Sequence, residues 1–149
     1  ASSCSMSMVG GLVTLEDLKR GKIEHALMIS VANPRAGVYS LPAQRTDGTS
    51  SSPTALPEGA HLRLDPTLQI ATLHLPRLTR MLAEAAQRYG IYVCLRGANI
   101  GFYAQDPTPT GTNPYIGPSG YFEGQRPEQL MGTFPWSRLQ LLKMHLRSG

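Results

Sequence analysis

His25 is the residue that most invites a chemical reading. Residues 23–31 alternate, with Ile23, His25, Leu27, Ile29 and Val31 on one side, which predicts a strand and puts the imidazole on its apolar face. A buried imidazole must hydrogen-bond something there. One that projects into a cleft suits general acid–base work, because imidazole titrates near neutrality. Glu24 points to the opposite face, so the two neighbours cannot form a dyad and each needs a partner from elsewhere.

Loop carboxylates could supply that partner. Asp47 stands in Gln44-Arg45-Thr46-Asp47-Gly48, Glu58 in Pro57-Glu58-Gly59 and Glu123 in Tyr121-Phe122-Glu123-Gly124. Two carboxyls flanking a cleft are what glycoside hydrolysis needs, with their separation choosing between retention and inversion. Arg45 reads either as an ion-pair partner pinning an Asp-Gly turn or as a polar ligand for a sugar. Tyr103, Tyr115 and Tyr121 offer flat amphipathic rings that stack on sugar faces or pack into a core.

Other chemistries find less support. There is no Gly-x-Ser-x-Gly elbow, no P-loop and no zinc-finger spacing. His25, His61, His74 and His145 stand far apart with no i, i+4 pair, so neither a metal nor a cofactor is expected. Cys94 lies in an apolar strand, where a thiol is usually inert. Paired with Cys4 it would close a loop of about 90 residues, worth about 4 to 5 kcal/mol in the chain-entropy account.

The 149 residues, about one domain's worth, are 41% hydrophobic and 16% charged, against roughly 25% charged in an average domain. This excludes a disordered chain, a coiled coil and a collagen-like repeat. The net charge of +4 comes from 14 basic and 10 acidic residues, and the basic ones form no run. Nucleic acid is therefore not an expected partner. Nor is a membrane, since nothing approaches the ~18 apolar residues of a span. Low charge with abundant Gly, Pro, Ser and Thr suits an exported protein.

The elements that must position these residues are mostly short. Residues 1–13 read as extended chain. Thr14 and Asp17 form a capping box for a helix over 15–20 closed by Gly21. Strands are expected over 23–31, 38–41, 61–64 and 70–74, with Pro-rich loop over 33–58. Leu78, Met81, Leu82, Ala85 and Tyr89 recur at helical spacing and predict a helix over 76–88. Residues 91–95 and 100–104 read as a hairpin, 105–120 as a second loop, and 138–144 as holding a last strand. Many short strands with Gly/Pro turns predict a mainly β fold, an antiparallel jelly-roll-like β-sandwich with one long amphipathic helix.

The stretch from Gly11 through His25-Ala26-Leu27 resembles a group of secreted, largely actinobacterial β-sandwich proteins. The resemblance continues through Pro42-Ala43-Gln44-Arg45-Thr46-Asp47-Gly48, Leu56-Pro-Glu-Gly-Ala60 and Ala86-Gln-Arg-Tyr-Gly-Ile91, covering roughly residues 9–105. It implies the C-terminal part of a larger sandwich, with an upstream half of the same protein as a partner, and glycan handling by fold-level analogy. Two functions follow as expectations. One is a secreted glycoside hydrolase or polysaccharide lyase acting on a polysaccharide or oligosaccharide, with His25, Asp47 and Glu58 catalytic and Arg45, Tyr103, Tyr115 and Tyr121 holding substrate. The other is a non-catalytic glycan-binding or cell-surface module.

Overall fold

The computed structural model describes residues 4–149. Helix α1 (Leu15–Arg20) precedes strands β1 (Leu27–Val31), β2 (Val38–Ser40) and β3 (His61–Leu64). Helix α2 (Arg77–Arg88), β4 (Ile91–Arg96) and β5 (Gly101–Phe102) follow, then α3 (Pro127–Met131), β6 (Leu139–Leu141) and β7 (Leu146–Ser148). One five-stranded sheet has the order β5-β1-β4-β3-β6, and β2 pairs with β7 in a separate ribbon.

This overturns the antiparallel jelly-roll sandwich. The sheet is mixed: β1 and β4 run parallel, with Leu27 opposite Ile91, while the other pairs are antiparallel. A parallel pair needs a long crossover, and here the return includes β3 and α2. The layer over the sheet is α2, not a second sheet. Leu78, Met81, Leu82, Ala85 and Ala86 of α2 are buried in one cluster with Leu27, Ile29, Leu62, Leu64, Ile91 and Val93 of the strands. The period-2 and period-3.6 faces thus meet in the main core.

The other face of the sheet holds a smaller core of Met28, Ala43 and the Cys4–Cys94 disulfide, flanked by Met6, Met8, Tyr39 and Tyr103. The N-terminal segment lies across it as a stapled strap. Extended chain was expected there, but Val9–Gly11 form a 3-10 turn and only Val13 bridges, to Ala104; residues 1–3 lie outside the described residues.

Two further expectations fail for local reasons. The strand over 70–74 is a 3-10 turn, Ile70–Leu73, with Ile70 alone buried, so its alternation never had two faces to serve. The hairpin does not form because β1 lies between β4 and β5. The chain passes over the end of β1 at Gly97, whose N–H donates to Val31 O and whose missing Cβ leaves room for Ser30. By contrast α1 has the expected capping box, with Thr14 Oγ1 accepting from Asp17 N–H, Asp17 Oδ2 from Thr14 N–H, and Gly21 left-handed at the C-terminus.

Candidate functional site

The expected site residues fall into separate places. β1 starts at Leu27, leaving His25 in the approach to the strand rather than on its face. Its Nε2 lies 2.7 Å from Asp17 Oδ2 and its Nδ1 2.8 Å from Ala26 O. Both nitrogens lie against oxygens that accept, so the ring is held on both sides by neighbouring structure. His25 therefore anchors the α1–β1 connection. Asp17, which the spacing marked only as a cap, is the centre of this cluster: nearly fully buried, it also takes an ion pair from Arg20 at 2.8 Å.

Burial opposes ionisation of Asp17, but hydrogen bonds from the Thr14 backbone and from His25 outweigh it and hold the carboxyl below its ordinary value. A carboxyl lowered by folding contributes stability that is present above its unfolded value, about 3.9, and is lost as pH falls through the folded one. Asp65, held at about 2 by hydrogen bonds from Arg138 and then Thr67, acts in the same direction at lower pH. Urea midpoints should thus fall between about pH 5 and 2, and less steeply in Asp17→Asn; parallel curves for the two proteins would refute this role. Thr14→Ala should cost about 1 kcal/mol.

Asp47 and Glu58 are brought together through the main chain of the first and the side chain of the second. Glu58 is fully buried, and its Oε2 accepts from the backbone N–H of Asp47 at 2.9 Å. The Asp47 side chain and Arg45 are exposed. The Glu58 main chain extends the same junction, its C=O accepting from Ser40 N–H at 2.8 Å. Gly59 follows at φ 87° with the Ser40 carbonyl where a Cβ would stand, so only glycine fits. Glu58 is built as a strut between the long loop and the sheet.

The tyrosines are dispersed. Tyr103 packs against the disulfide core. Tyr121 donates its hydroxyl to Leu18 O at 2.8 Å and stacks under the Arg77 guanidinium at 4.3 Å, tying the end of the second long loop to α1 and α2. Tyr115 alone among the expected residues lines a large cavity. Burial holds its phenol proton on at higher pH than usual, and its hydroxyl donates to Gln105 O at 3.0 Å.

That cavity is a cleft of about 610 Å³ between α2, the edge strand β5 and the segment from Tyr115 through α3 to Phe134. Leu78, Leu82, Phe102, Leu130 and Phe134 form its walls, and Thr79, with its Oγ1 2.9 Å from Thr133 Oγ1, lies among them. Asn99 and Glu128 also line it, and Glu128 is the one charged lining residue. The volume matches ordinary ligand pockets, while the sparse polar groups do not match the hydrogen-bonding surface of a sugar. Sequence reasoning missed the cleft because a gap in a core has the same residue pattern as the core. No residue type or spacing marked it; Ile100, exposed beside β5, is one of its lining residues.

Among the described residues no group of three or more His, Cys, Asp or Glu is placed to hold a metal ion. No protein-family model matches the chain, and neither does any curated protein or any solved structure.

Proposed function

We propose that the chain is an extracellular binding module that receives an apolar group in the α2/β5/α3 cleft, rather than a glycoside hydrolase or polysaccharide lyase. The observation that carries this is the cleft itself: a ligand-sized concavity with apolar walls, few polar groups and one carboxylate. The hydrolytic reading has no comparable support, because His25 and Glu58 are committed to neighbouring structure. Export is supported by the Cys4–Cys94 disulfide, a bond that persists in oxidising compartments. No helix among the described residues is long and apolar enough to cross a membrane.

The test uses the uncharged fluorescent hydrophobe N-phenyl-1-naphthylamine. Wild-type protein should enhance its emission saturably, and Leu82→Trp, which fills the cleft, should weaken binding about tenfold or more. Met131→Trp at the half-buried wall is the second variant, in case Leu82→Trp lowers the melting temperature. No enhancement by wild type, or equal affinity in both folded variants, would overturn the reading. A polysaccharide panel should yield no released oligosaccharide by mass spectrometry; hydrated or unsaturated products would restore the enzyme.

A further inference from the structure

We infer that the occupant of the cleft is an extended peptide segment that adds to the edge of the sheet beside β5, lays an apolar side chain into the cleft and places a basic residue next to Glu128. This rests on the cleft being a ligand site and names the ligand's class.

The cleft and the sheet edge are one feature. Asn99, Ile100, Gly101, Phe102 and Ala104 line the cavity, and Gly101–Phe102 among them are β5, the outermost strand at this end of the sheet. Among the described residues β1 is the only strand beside β5. Tyr103 N–H donates to Met28 O on the β1 side, and Tyr103 O and Gln105 N–H both bond Val13 on that same side. Backbone groups alternate along an extended chain, so the N–H and C=O of Phe102 and Ala104 point outward, away from β1. Edge groups of this kind are a template for an added strand, which natural proteins ordinarily cover or blunt. Here the flanking residues do neither: Ile100 and Ala104 are exposed and uncharged.

Register supplies the side-chain argument. Phe102 lies opposite Ile29, which belongs to the α2-side core. An added strand has alternate residues on that same face, and its α2-side residue stands over the cleft. Backbone hydrogen bonds then supply affinity and the pocket supplies selectivity, as in other strand-addition complexes. Charge completes the match, because Glu128 is the one acidic or basic side chain along the lining and the peptide's complementary residue is Lys or Arg.

The experiment screens the intact protein against a positional library of acetylated, amidated octapeptides, following the emission of Trp136. This is the only tryptophan in the chain, and its ring packs on the cleft residues Phe102 and Phe134 with centroids 5.6 and 4.6 Å away. Selected peptides should carry an apolar residue beside Lys or Arg. N-methylation of the amides facing β5 should cost about tenfold or more in affinity, while N-methylation of alternate amides costs little. Hydrogen exchange at Phe102 and Ala104 should slow on binding, and Glu128→Gln should lower affinity about two- to fivefold. If peptides bind but N-methylation at every position is tolerated and the two amides stay unprotected, strand addition is wrong. If no peptide binds while N-phenyl-1-naphthylamine does, the occupant is not a peptide and the cleft reading stands. If neither binds, both fall.

Discussion

Replacing Cys4 and Cys94 together with alanine should lower stability by about 2–5 kcal/mol and the melting temperature by roughly 5–20 °C at this chain length. The bond joins residues 90 apart, so in the unfolded chain it removes the entropy of a very large loop. Both cysteines are fully buried against Met28 and Ala43, so alanine also removes packed sulfur from the smaller core. Scanning calorimetry of wild type with and without reductant, beside the double variant, separates the effects. Both should give large losses, and the double variant the larger, since the free thiols of reduced wild type still pack as small hydrophobes. Unchanged melting in both would mean that the strap contributes nothing to the fold. Intact mass should rise by two hydrogen atoms on reduction.

What the sequence made legible was local. The α1 capping box, the left-handed Gly21, the amphipathic α2, and strands β3 and β4 all follow from neighbours within four residues, where capping and periodicity operate. What failed was which strand lies beside which. The alternation of 91–95 and 100–104 satisfies either a hairpin or two strands flanking a third; only the packing of Gly97 against Ser30, 67 positions earlier in the chain, decides it. The site was illegible for the same reason. His25 does have a carboxylate partner, but it is Asp17 on the preceding helix rather than one of the loop carboxylates. Tyr115 was singled out and does line the cleft, whereas Leu78 and Leu82, which shape it, read as core. A cavity is a property of facing surfaces, and one chain's periodicity describes each surface without its partner.

Glu58→Ala should cost about 3–5 kcal/mol, combining the cavity left by a fully buried side chain with the loss of the acceptor for Asp47 N–H. Glu58→Gln keeps the volume and one carbonyl acceptor, so it should cost less, about 1–2 kcal/mol. Asp47→Asn keeps the donor, which is main chain, and its side chain is exposed, so it should stay within about 0.5 kcal/mol of wild type. Urea unfolding of the three variants therefore gives a graded series in which position 58 dominates and position 47 is silent. A catalytic carboxyl gives the opposite signature: an isosteric amide abolishes turnover with little change in stability, and Asp47 and Glu58 matter together. If Glu58→Ala proved as stable as wild type, the strut would be wrong, and the burial of that carboxyl would need a chemical reason. If the graded series holds, the Glu58 side chain ties the long loop to the segment that leads into β3, and Arg45 and Asp47 belong to the loop's outer surface.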